Sequence, residues 1–88
     1  MAMSTPVKGE RASPNEDGQL LLKEGQYGKG TDGIWYARPP DNHMGSLAGH
    51  AVVEHEDGTI TASPSILITD WRCGQWHGYL RRGVWTQV

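Results

Sequence analysis

The chain reads as a small all-β domain. Three observations predict this. No stretch shows a convincing 3.6-residue apolar period. Short runs rich in Val, Ile, Trp and Tyr alternate with turns built from Gly, Pro and Asp. Asp57-Gly58 joins two segments of alternating character, a strong hairpin signal. Five or six short strands fit the length. They form a small antiparallel sheet, rolled into a partly open barrel or a sandwich.

Eighty-eight residues make one domain at most. Residues 1–17 (MAMSTPVKGERASPNED) are polar and hold almost nothing to bury, so they read as a disordered tail. The folding unit is residues 18–88. So small a core is often helped by a staple, a metal or self-association. The single Cys excludes an intramolecular disulfide, and a free thiol suits a reducing, cytoplasmic setting. The net charge of −2 gives no basic footprint for broad nucleic-acid binding. The N-terminus lacks the apolar region of a signal peptide, and no apolar run approaches the roughly 20 residues that span a bilayer.

Gln19–Lys23 (QLLLK) is a first strand or a packed turn, and Glu24–Asp32 (EGQYGKGTD) is a Gly-rich loop. Gly33–Arg38 (GIWYAR) is a strand stopped by Pro39-Pro40. Pro39–Gly49 is the longest internal loop, and long loops tend to carry function. His50–Glu56 and Thr59–Ser63 form a hairpin. A two-residue Asp57-Gly58 turn pairs Glu56 with Thr59 and His55 with Ile60. It makes Ala51, Val53, His55, Ile60 and Ala62 the core face. Pro64 marks a bend, and Ile66–Thr69 is a buried strand. Asp70–Gly74 is a turn. Gln75–Arg81 and Val84–Val88 form a last hairpin with two possible registers. A three-residue loop ending in Gly83 separates apolar from polar more cleanly. It puts Trp76, Leu80, Val84 and Val88 on one face, and His77, Tyr79, Trp85 and Gln87 on the other.

Four Trp, three Tyr and no Phe shape the functional expectations. Trp35, Tyr36, Trp71, Trp76, Tyr79 and Trp85 exceed what so small a core holds fully buried. Trp71, Tyr79 and Trp85, with Arg72, are therefore candidates for contacting a partner or ligand. Exposed Trp also suits a homo-oligomer interface. The plainer alternative is that Trp fills the core in place of Phe.

Cys73 and His77 stand at C-x3-H spacing, with His50 and His55 upstream. Zinc takes four N or S donors, often delivered as short-spaced pairs, so these four residues are candidate ligands. The alternative is an inert thiol and surface imidazoles. No catalytic set emerges. Alternation points His55 away from Glu54 and Glu56, and no nucleophile elbow, zincin motif or phosphate loop is present. Gly25, Gly28 and Gly30 lack the strand–loop–helix context of a phosphate-binding loop and read as turns.

The runs EGQYGKGTDGIWYARPP, GHAVVEHEDGTITASPSILIT and WHGYLRRGVW resemble a family of small uncharacterised phage and prophage proteins. Some of these carry an automatic "ammonia monooxygenase" label. The T-x-x-P-S-I motif, the His-aromatic stretch and G-x-x-W are also similar to a wider domain of unknown function. There, a Cys and a His before the final hairpin look like metal ligands beside an N-terminal Cys cluster. This chain has no such cluster, and Cys73 is its only Cys. The monooxygenase label does not fit: that reaction needs copper within a large membrane assembly.

The resulting expectation is a phage- or prophage-encoded, non-enzymatic accessory protein with no cofactor. It would bind a host or phage protein or a small ligand through its aromatic face and the Pro39–Gly49 loop. The alternative is a zinc-stabilised module. Least favoured is a small hydrolase or nucleotide-handling enzyme with His55 or His77 as base.

Overall fold

A computed structural model describes residues 6–70 and 74–88. The protein is all-β, with two sheets that do not close into a barrel. Among the described residues there is no helix, and so none long and apolar enough to cross a membrane. The strands are β1 (Val7–Lys8), β2 (Glu10–Arg11), β3 (Gln26–Lys29), β4 (Trp35–Ala37), β5 (Gly45–Ser46), β6 (Ala51–Glu54), β7 (Ile60–Asp70), β8 (Gly74–Arg81) and β9 (Val84–Gln87). One sheet runs β1-β9-β8-β7-β6 and the other β2-β3-β4-β5. All pairings are antiparallel except that of β2 with β3.

The two sheets share one core. Tyr27, Ala37 and Leu47 come from the smaller sheet and its flank, and Ile60, Ala62, Ile66, Trp76, Leu80 and Trp85 from the larger. Trp76 and Trp85 meet edge to face, with centroids 5.3 Å apart and planes at 90°. That geometry sets the positive edge of one ring against the negative face of the other. The indole Nε1 of Trp85 donates to the carbonyl of Gly25 at 2.9 Å, tying the larger sheet to the turn that starts β3. Gly78 makes room for the pair. A Cβ there would lie 2.6 Å from Trp76 Cη2 and 2.3 Å from the Thr86 carbonyl.

The two hairpin registers are the reverse of those expected. Val52 faces Ala62 and Glu54 faces Ile60, so His55 and Thr59 flank a three-residue loop, Glu56-Asp57-Gly58. The slip of one residue turns every side chain of β6 over. Val52 packs on the core, whereas Ala51 is exposed and Val53 is 55% exposed. In the last hairpin Arg81 pairs with Val84 and Leu80 with Trp85. The loop is therefore the two residues Arg82-Gly83, both at positive φ (47° and 75°), the requirement of a type I′ turn. Trp85, not Val84, faces inward.

The three-residue loop recurs. Asn15, Gly30 and His55 each donate their N–H to the carbonyl four residues on, at 2.8 Å in every case. The enclosed loops are Glu16-Asp17-Gly18, Thr31-Asp32-Gly33 and Glu56-Asp57-Gly58. Each ends on a Gly at φ 79–86° whose N–H donates to the carbonyl of the residue just before the loop, Asn15, Gly30 or His55. The left-handed Gly is what such a loop demands. Two of the three aspartates brace their own loops. Asp32 Oδ1 accepts from the Ile34 N–H at 3.0 Å, and Asp57 Oδ1 accepts from the Thr59 N–H at 3.0 Å and its hydroxyl at 2.6 Å.

Four further sequence expectations are revised or resolved. Residues expected to form a disordered tail include β1 and β2, because the edges of β9 and β3 supply backbone partners that do not require apolar side chains. The run read as a Gly-rich loop contains β3, with Tyr27 buried in the core. Gln19–Lys23 forms no strand. It packs through Leu22, leaving Leu21 70% exposed. At Pro64 the strand does not end: β7 continues through a bulge that shifts its register on β8 between Ala62 and Ile66.

The loop-bracing hydrogen bonds hold the carboxyls of Asp32 and Asp57 below their ordinary range. The Ile34 N–H is the main cause for Asp32, and the Thr59 hydroxyl for Asp57. Their contribution to stability is present when both are ionised. It is lost as the pH falls through their lowered values. The urea midpoint should therefore hold down to about pH 4 and decline below it. Asp32→Asn and Asp57→Asn keep the Oδ1 acceptor but cannot titrate, so the double variant should show a flatter acid limb. An unchanged limb would assign the decline to other groups.

Candidate functional site

The larger sheet buries one face and leaves the other open, a common arrangement for antiparallel sheets. Alternation along β8 sends Trp76, Gly78 and Leu80 inward and Gln75, His77, Tyr79 and Arg81 outward. On β7, Leu67 stands directly opposite His77 and is 56% exposed. The Arg81 guanidinium lies over the Tyr79 ring at 4.3 Å from the centroid, holding both side chains against the sheet. The open face thus carries an apolar residue, an imidazole and a stacked cation–aromatic pair side by side.

The bulge at Ser63–Ser65 gives this face its second feature. His77 Nε2 lies 2.9 Å from the Ser65 hydroxyl, and His50 Nε2 lies 3.2 Å from the Ser65 carbonyl. A carbonyl only accepts, so the His50 contact places that ring's proton on Nε2. Its Nδ1 is buried without a hydrogen-bond partner. His50 also borders a shallow hollow with Trp35, Leu47 and Val52.

The expected site residues therefore divide. Tyr79 and His77 share the open face. Trp85 does not: it is 1% exposed and forms part of the core, because the two-residue loop reverses the alternation on β9. Trp71, Arg72 and Cys73 lie outside the described residues. His50 and His77 both reach Ser65. His55 does not join them. Four strand residues lie between it and His50, so the two positions are five steps apart, or about 17 Å at ~3.3 Å per residue. Its Nε2 lies 2.7 Å from the Thr61 hydroxyl, which also accepts from the Arg82 N–H at 2.9 Å. His55 thus braces one hairpin end against the other.

Among the described residues no three His, Cys, Asp or Glu side chains form a group able to hold a metal ion. A tetrahedral zinc site needs four donors; with its Nε2 proton on the Ser65 carbonyl, His50 would ligate only through Nδ1, and the set is incomplete on the described residues alone. The Ser65–His77 contact has the spacing of a nucleophile and its base. His77 is exposed, however, and activation of such a pair calls for a positioned third group and a dry oxyanion site. The sequence reading missed two participants, Ser65 and Leu67, and did not single out Arg81 among Arg38, Arg72, Arg81 and Arg82, the arginines near the aromatic residues. The i, i+2 spacing of His77, Tyr79 and Arg81 was a signal for it. Ser65 had none, since its reach to His77 comes from the bulge.

The Pro39–Gly49 loop is more built than a flexible connector. Arg38 Nε donates to the Asn42 carbonyl at 2.8 Å and Nη1 to the Leu22 carbonyl at 3.1 Å. Asn42 is buried, and its Oδ1 accepts from the His43 N–H. The loop contains β5 and leaves Met44 exposed beside Asp32 and Tyr36, whose hydroxyl donates to Asp32 at 2.8 Å. That bond holds the Tyr36 phenol above its ordinary pKa.

Compared with protein-family models, curated proteins and solved structures, the chain matches none.

Proposed function

We propose that the chain is a non-enzymatic binding module, a phage- or prophage-encoded accessory protein working in the host cytoplasm. It holds a host or phage protein against the open face of the larger sheet. One observation carries this reading. Leu67, His77, Tyr79 and Arg81 are presented together on regular strands, free of the core. Tyr and Arg are the residue types that most often dominate binding energy, and sheet residues are held in place better than loop residues. A flat face suits a protein surface more than a small molecule, which is usually enclosed in a cleft.

The test uses Leu67→Lys, Tyr79→Ala and Arg81→Glu, all outward-facing and so compatible with the fold. Partners captured from phage-infected host cells by the unaltered protein should be lost by the triple variant. A purified partner should bind at least about tenfold more weakly, which corresponds to ~1.4 kcal/mol. Equal capture by both proteins, or no partner for either, would remove the support for this face.

A second reading is a zinc-stabilised module. It is favoured only by the shared approach of His50 and His77 to Ser65, and it needs Cys73 as a further ligand. Elemental analysis of untagged protein decides it. About one zinc per chain, lost in His77→Ala and retained in His55→Ala, is the expected result of that reading. Substoichiometric metal, with a thermal midpoint indifferent to chelator, would count against it.

A further inference from the structure

We propose that the joint edge of β9 and β3 is a strand-acceptor groove. Val7–Arg11 fills it in cis here, and the same segment of a second copy fills it in a strand-swapped dimer. The segment joins two sheets in five residues. Val7 and Lys8 pair with Trp85 and Val84, and the Gly9 N–H then donates to the Gly83 carbonyl at 2.7 Å. The Glu10 N–H donates to the Gly25 carbonyl at 3.2 Å, and Glu10 and Arg11 run parallel to Gln26 and Tyr27. The Ala12 N–H closes the series on the Tyr27 carbonyl at 2.8 Å.

The groove is selective at its centre. A Cβ on residue 9 would lie 2.8 Å from the Gly83 carbonyl, 2.9 Å from the Gly25 carbonyl and 2.9 Å from Trp85 Nε1. Two of those are backbone atoms and the third belongs to a buried ring, so only glycine fits. The next two positions are read by side chains. Gln26 Nε2 donates to Glu10 Oε1 at 2.9 Å. The Arg11 guanidinium pairs with Glu54, donates to the Gly58 carbonyl at 3.2 Å and lies 5.1 Å over the Trp35 ring. The site therefore accepts an extended Gly-Glu-Arg segment, which this chain carries at residues 9–11.

Exchange is favoured by how the segment is held. Val7, Lys8, Glu10 and Arg11 are all exposed, and the segment contributes no side chain to the core. Its two ladders are two residues long each. Without it, β9 and β3 would each present an open edge, and open edges recruit strands. A swapped pair makes the same contacts as the closed monomer, differing only around the hinge at Ser13-Pro14. This is the usual low-cost route to a dimer.

The test begins with the full-length protein. Native mass spectrometry over a concentration series should show a dimer that grows with concentration. A mixture of differently isotope-labelled copies should give intermolecular NOEs between Gly9 and the Trp85 indole, a readout that needs no variant. Full-length Gly9→Val should lose the dimer by at least tenfold. It should also bind a synthetic Pro6–Ser13 peptide in trans, seen as a change in Trp fluorescence, and ignore the peptide carrying the same Gly9→Val change. A protein monomeric at all concentrations, or a dimer unchanged in Gly9→Val, would overturn the swap. A labelled mixture with no intermolecular contact at Gly9 would do the same. A folded Gly9→Val protein indifferent to the native peptide would overturn the groove itself.

Discussion

The two-residue loop Arg82-Gly83 decides which way Trp85 points, and much of the molecule follows from that direction. With Arg81 opposite Val84, Trp85 shares a face with Leu80 and enters the core. Its ring meets Trp76, and its N–H reaches the Gly25 carbonyl on the other sheet. That carbonyl also accepts the Glu10 N–H, so one backbone oxygen joins the core tryptophan, the smaller sheet and the N-terminal strands. Gly83 is suited to its place twice over. Its φ is 75°, and a Cβ there would lie 2.7 Å from the Tyr27 hydroxyl. A loop one residue longer would send Trp85 to solvent and Val84 inward, leaving the centre of the core without its largest side chain.

The same alternation defines the surface available to partners. Putting Trp76, Leu80 and Trp85 inside puts His77, Tyr79 and Arg81 outside. The aromatic residues therefore split between two tasks rather than forming a single exposed stripe. Trp76, Trp85 and Tyr27 fill the space that Phe would occupy in another small domain, while Tyr79 remains half-buried on the open face beneath Arg81. The bulge of β7 then brings Ser65 between two histidines without disturbing Ile66 and Ile68, which continue to face inward.

The fold class was legible because β-branched and aromatic runs between turn residues have few other readings. The strands at Trp35–Ala37, Ala51–Glu54 and Val84–Gln87 lie within the segments expected. Register was less legible. Asp57-Gly58 fits a two-residue loop and also the last two positions of a three-residue loop, and local chemistry alone does not separate them. The recurrence of Asp-Gly at residues 17–18, 32–33 and 57–58 was a usable signal, since all three adopt one loop. The N-terminal strands were hidden for a different reason. They are held by backbone carbonyls and by Arg11, so their low apolar content says little about order. Of the site, Tyr79 and His77 were legible from alternation, whereas Ser65 depends on a bulge and Trp85 on the loop length.

The most direct test of this account is hydrogen exchange at the Trp85 indole. A side-chain N–H that is buried and bonded to Gly25 should exchange far more slowly than an exposed indole, at a rate governed by opening of the core. Protection comparable to that of the central backbone amides of β8 is the predicted result. Exchange at the rate of a free indole would contradict the account, because Trp85 would then face solvent and the last hairpin would have the other register.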